Sequence, residues 1–123
     1  MKNSNSIFLS LGSNIGDKES NLIDGVRLIS NFAKIIKISS VYKTEPLLYK
    51  QQDDFFNIVI EIEYQGTARN LLIKIKEIET QMGRKKNFRY GPRLIDIDII
   101  FFKGEEIEEE DLIIPSSISS PLK

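Results

Sequence analysis

The chain has 123 residues, 41% of them hydrophobic and 28% charged, with a net charge of −1. That is the size of one domain, expected to span 1–123, with no apolar run near the roughly 20 residues that cross a bilayer and no leader-like pattern in the first ten, so a cytoplasmic protein is expected. Cysteine and histidine are both absent, which excludes disulfides, thiolate nucleophiles, Cys-based metal sites, Ser-His-Asp triads and imidazole bases.

In chain order, Ile7–Leu11 reads as a buried strand ended by Gly12, Ser13 and Asn14. Asp17 to Ser20 offers helix-start residues, and Leu22, Val26, Ile29, Ala33 and Ile36 recur at helical spacing. Ile36–Thr44 is rich in β-branched residues and predicts a second strand, followed by a polar loop, 45–54, pinned by Pro46. From Phe55 to Tyr64 the alternation is regular: Phe56, Ile58, Ile60, Ile62 and Tyr64 share one face. Gly66-Thr67 predicts a turn and an N-cap, Leu71, Ile75, Ile78 and Met82 a second amphipathic helix, and Gly83 its C-cap. Leu94–Phe102 predicts the fourth strand, turned at Lys103-Gly104. The order β-α-β, β-α-β predicts an α+β, ferredoxin-like βαββαβ sandwich, one antiparallel sheet with two helices on one face. Such a fold also serves RNA-binding modules, so function must come from a site.

Charge is concentrated in two places. Glu105 to Asp111 (EEIEEED) holds six acids in seven positions, and suits a solvated face or a device that blunts a sheet edge. Arg84 to Arg93 (RKKNFRYGPR) holds five bases and no acid. A solvated loop explains such a run; its Phe88, Tyr90 and Gly-Pro pair also suit a phosphate-bearing partner with a flat ring.

Asp96 and Asp98 stand at i and i+2 of the fourth strand, on one face and about 7 Å apart, with Ile95, Ile97, Ile99 and Phe101 expected to point to the core. A solvent-facing pair matched by Lys or Arg is one reading. The other is Mg²⁺, which favours one or two carboxylates plus substrate phosphates, and the multi-arginine block ending at Arg93 favours it. GSNIGDKES lacks P-loop spacing, and no G-x-G-x-x-G occurs, so a bound nucleotide would depend on arginines and metal. Phe55 and Asn57 share the face opposite the apolar stripe; they fit a flat heterocycle, and equally an exposed ring with a polar neighbour.

These pieces together resemble the 6-hydroxymethyl-7,8-dihydropterin pyrophosphokinase family. LSLGSNIGD, SSVYKTEPL, QDDFFN and ETQMGRKKNFRYGPRLIDIDIIFF occur in the family's order over roughly residues 7–115. The resemblance implies a ferredoxin-like enzyme that moves pyrophosphate from ATP to the pterin hydroxymethyl group and releases AMP. It implies two Mg²⁺ ions on Asp96 and Asp98, and phosphate-gripping arginines at Arg84, Arg89 and Arg93 in a loop that orders on binding. It also implies Tyr90 as a lid aromatic where the family commonly has Trp, and Glu79 as a helix carboxylate near ATP. Gly12, Thr44, Pro46, Leu47, Phe55 and Asn57 match the pterin pocket, with Phe55 as a stacking ring. The implied partners are ATP and hydroxymethyldihydropterin, with no nucleic acid or membrane, and a monomer is expected. Three departures stand out. Leu48 replaces a glycine, and the loop from Gly83 to Tyr90 is about one residue short. Ser116 stands where the family has His after Pro115, and no aromatic residue follows Phe102. The last departure predicts retained ATP–Mg binding, weak pterin binding and slow catalysis. Two rival readings are a binding remnant of the family and an RNA-binding module; the chain has no RNP1-like aromatic run to favour the latter.

Overall fold

A computed structural model describes residues 5–44, 54–83 and 94–115. In chain order these form β1 (Ile7–Ser13), α1 (Lys18–Ile29), β2 (Lys34–Ile38), β3 (Tyr42–Thr44), β4 (Phe55–Glu63), α2 (Ala68–Gly83), β5 (Asp96–Phe102), β6 (Ile107–Glu109) and β7 (Leu112–Ile114). The main sheet runs β2-β4-β1-β5, every pair antiparallel, with β3 also paired to β4. Among the described residues no helix is long and apolar enough to cross a membrane.

Alternation decides which side of the sheet is covered. Ile7, Leu9 and Leu11 of β1, Ile58, Ile60 and Ile62 of β4, and Ile97 and Ile99 of β5 form one buried cluster with Leu22 and Ile29 of α1 and Leu71, Ile75 and Ile78 of α2. Both helices therefore lie on the same face, and the chain is α+β. Asp17 caps α1 by accepting the Ser20 N–H at 3.1 Å, and Thr67 Oγ1 accepts the Asn70 N–H at 3.0 Å ahead of α2. Gly25 lets α1 approach the sheet: a Cβ there would collide with Ile95 Cδ1 and sit 3.2 Å from Leu11 Cδ2.

Five expectations are corrected. Helix α1 ends at Ile29 with Ser30 as its C-cap; Ala33 lies in the following turn, and Ile36 is an exposed residue of β2. The second strand is two strands. Ser39 interrupts it, because its hydroxyl accepts the Val59 N–H (2.9 Å) while its own N–H donates to Val59 O (2.9 Å), and pairing resumes at Tyr42. The fourth strand is paired from Asp96, not Leu94. Phe101 does not point to the core: Phe8 pairs with Phe101 but Leu9 with Ile99, so Ile100 is an extra residue. That β-bulge hands the core position to Phe102 (1% exposed) and sets Phe101 beside Phe8, ring centroids 6.1 Å apart. Gly83 is the last residue of α2 itself.

The acidic run is a hairpin, β6–β7, that the sequence reading did not draw. Its acids are exposed, as expected, but two of them hold the hairpin to α2: Arg69 donates to both Asp111 carboxylate oxygens at 2.9 Å and pairs with Glu109. Arg69 and Asp111 face an open groove of about 660 Å³ between hairpin and helix. The hydrogen bonds from Arg69 hold the Asp111 carboxyl below its ordinary range. A depressed carboxylate contributes stability above its unfolded pKa, and that contribution is lost as pH falls through the folded one. Arg69→Gln should therefore melt below the parent at pH 7, with the gap narrowing as pH falls through the depressed folded pKa of Asp111. A gap that persists once acid has protonated the carboxyl would mean the pair does not carry the difference.

Candidate functional site

Among the described residues no helix covers the second face of the sheet, and that face is built on β1. Because directly paired residues of an antiparallel sheet project to the same side, the registers Gly12↔Asn57, Gly12↔Asp96 and Ser10↔Asp98 draw two rows across three strands. The first reads Asn57–Gly12–Asp96 and the second Val59–Ser10–Asp98. With strands about 4.8 Å apart, the amide of Asn57 and the carboxylate of Asp96 flank Gly12 across about 10 Å. Asp96 and Asp98 do share this face, both half-buried.

On the β4 side the polar groups are organised. Asn57 Nδ2 donates to Thr44 Oγ1 at 3.0 Å and lies within reach of the carbonyls of Phe55 (3.3 Å) and Tyr42 (3.4 Å). Three acceptors around one end assign that end as the NH₂ and turn Oδ1 toward Gly12. The space above Gly12 exists because it has no side chain: a Cβ would meet Asn57 Oδ1 at 2.9 Å and Phe55 Cδ1 at 3.5 Å. Gly12, Thr44, Phe55 and Asn57 are thus brought into one patch, an aromatic ring beside a fixed amide.

On the β5 side the strand is the sheet's edge, and its backbone is tied down from the helix side. Glu79, only 7% exposed, accepts the Ile97 N–H through Oε2 at 2.8 Å, and its Oε1 lies 3.6 Å from Lys76 Nζ. Ser13, fully buried at the end of β1, donates through Oγ to Leu94 O at 2.7 Å and accepts from Asn21 Nδ2 at 3.0 Å. Asn21 Nδ2 also donates to Ile15 O at 2.9 Å. By sequence Ser13 is only a strand end, and its position i+2 from Leu11, on the core face, is the one signal of its burial. Arg84, Arg89, Tyr90, Arg93, Pro46 and Leu47, and the departures at Leu48, in the 83–90 loop and after Pro115, lie outside the described residues, apart from Gly83.

Two carboxylates on one strand face have the chemistry that suits a hard cation completing its shell with other oxygens. Residues 8–120 match the family model described as 7,8-dihydro-6-hydroxymethylpterin-pyrophosphokinase (HPPK). A 2-amino-4-hydroxy-6-hydroxymethyldihydropteridine pyrophosphokinase of Bacillus subtilis (strain 168) is 41% identical over 113 residues, covering 90% of this chain and 68% of that protein. The chain belongs to the HPPK family. An Aquifex aeolicus (strain VF5) member of the same description is 38% identical over 109 residues, covering 89% of this chain and 68% of that protein. The bifunctional protein FolKE of Lactococcus lactis subsp. cremoris (strain MG1363) is 41% identical over 110 residues, 88% of this chain but 32% of its own length. The HPPK unit thus also occurs inside longer chains.

Gly12→Val should force the Asn57 carboxamide away and cost about 1–3 kcal/mol as an overpacked position. In a ¹H–¹⁵N spectrum the Asn57 side-chain pair should shift as its bond to Thr44 loosens. An unmoved Asn57 pair in the folded variant would contradict the close approach.

Proposed function

We propose that this chain transfers the β,γ-pyrophosphoryl group of ATP to the hydroxymethyl oxygen of 6-hydroxymethyl-7,8-dihydropterin in folate biosynthesis. The oxygen attacks the β-phosphorus, the bond from that phosphorus to the α–β bridging oxygen breaks, AMP leaves, and the hydroxyl proton is lost. The observation that carries this reading is the Asn57–Gly12–Asp96 row in a chain of the HPPK family: an amide with a ring on one side of a glycine, and a carboxylate pair on the other.

In this reading Phe55 stacks on the pterin, Asn57 and Thr44 hydrogen-bond its edge, Pro46 and Leu47 complete the pocket, and Gly12 leaves room for the ring over β1. Asp96 and Asp98 hold two Mg²⁺ ions with the ATP phosphates. Bound there, Mg²⁺ neutralises phosphate charge and lowers the pKa of the attacking hydroxyl. Arg84, Arg89 and Arg93 grip phosphate oxygens, their forked donors matching the equatorial charge of transfer, and Tyr90 covers the site. The reaction asks for in-line placement of hydroxyl and phosphorus, and a floor of paired strands supports this reading. Antiparallel order β2-β4-β1-β5 supports reading the sandwich as ferredoxin-like. The chain is read here as a monomer working in the cytoplasm.

Mixing the protein with Mg-ATP and hydroxymethyldihydropterin should release AMP stoichiometrically with pyrophosphorylated pterin. Asp96→Asn and Asp98→Asn should lower that rate at least about a hundred-fold while melting within a few degrees of the parent, since the core face of β5 is untouched. Full activity in Asp98→Ala would remove the metal assignment.

A further inference from the structure

The carboxylate pair stands on an edge strand, the least constrained place in a sheet. Of β5's backbone groups, those on the side of β1 are fixed by pairing; those on the outer side would otherwise face an open edge. A buried side chain meets that outer edge, and a second, from β1 itself, fixes the backbone just ahead of β5. Glu79 from α2 accepts the N–H of Ile97, the residue between the two aspartates, and Ser13 from β1 donates to the carbonyl of Leu94, two residues before Asp96. Both reach from the helix side, opposite the face that carries Asp96 and Asp98. Glu79 is itself steadied by Lys76, and Ser13 by Asn21.

We infer that Glu79 and Ser13 are positioning residues of the pyrophosphokinase site, clamping the 94–97 backbone so that Asp96 and Asp98 keep one fixed separation and direction toward the metal. This rests on the metal reading of the two aspartates and assigns a role to residues that need touch neither metal nor nucleotide. What Glu79 supplies is a hydrogen-bond acceptor for Ile97, which the amide oxygen of glutamine also supplies. A carboxylate acting by its charge, on a cation or on a phosphate-bound arginine, has no such substitute. A carboxylate pair displaced by a fraction of an ångström loses metal affinity, because octahedral Mg²⁺ tolerates little distortion.

The test uses the full chain with Mn²⁺ as the probe, titrated by electron paramagnetic resonance in the presence of a non-hydrolysable ATP analogue. Glu79→Ala should weaken Mn²⁺ about ten-fold, Glu79→Gln should recover most of that loss, and Ser13→Ala should weaken it several-fold. The Ile97 amide should exchange faster in Glu79→Ala than in Glu79→Gln. Pterin affinity, which depends on the β4 side of Gly12, should stay within about two-fold in every folded variant, whereas general loosening of the fold would lower both. Glutamine as weak as alanine, or alanine as tight as the parent, overturns the inference. If Glu79→Ala does not fold, unchanged Mn²⁺ affinity in folded Ser13→Ala overturns it instead. Asp98→Asn run alongside separates the two readings: parent-like Mn²⁺ binding in that variant means the metal assignment itself is wrong.

Discussion

One strand sets the geometry of this protein. β1 pairs antiparallel on both edges, and its register with β4 and β5 decides what lies beside what on the open face of the sheet. A one-residue slip of either neighbour would carry its polar residues into the core and its isoleucines into solvent. The cluster of Ile7, Leu9 and Leu11 against α1 and α2 opposes that slip. Burial on one face thus fixes chemistry on the other. Gly12 sits between the Asn57–Phe55 patch and Asp96, and any side chain there would occupy the space that Asn57 and Phe55 border.

The edge position of β5 poses the opposite problem. In the proposed reading two carboxylates must reach ligand from this strand, and like charges on neighbouring positions repel. The protein answers with constraint from below. Glu79 and Ser13 are both buried polar residues that hydrogen-bond the backbone of this segment, Glu79 accepting the Ile97 N–H within β5 and Ser13 donating to the Leu94 carbonyl just ahead of it. Farther along the same strand the bulge at Ile100 returns the alternation to the core through Phe102, so that irregularity falls beyond the carboxylates and leaves their spacing alone.

Much of this was legible in the residues. Strict alternation gave Phe56 to Tyr64 its buried face, and Asp17 and Thr67 announced the helix starts, because these signals depend on local periodicity and capping. The shared face of Asp96 and Asp98 followed from the same period of two. Local periodicity also misled: Ala33 and Ile36 continue the α1 stripe by spacing alone, but Ser30 ends the helix and Ile36 belongs to a strand. The split at Ser39, the bulge at Ile100 and the Arg69 clamp on Glu109 and Asp111 depend on partners about 20 to 90 residues away. Glu79 was recognisable only by family resemblance. Its contact with Ile97, 18 residues on, is a tertiary fact that no helical spacing announces.

The central claim is that metal and heterocycle share one sheet face on opposite sides of Gly12. Paramagnetic relaxation by Mn²⁺ bound with a non-hydrolysable ATP analogue measures this directly. Broadening should be strongest at the amides of Asp96 and Asp98, strong at Ser10 and Gly12, weaker at the Asn57 side chain, and least along the outer face of α1. Broadening centred on the acidic hairpin from Glu105 to Asp111, with Gly12 and Asp98 left sharp, would contradict the account.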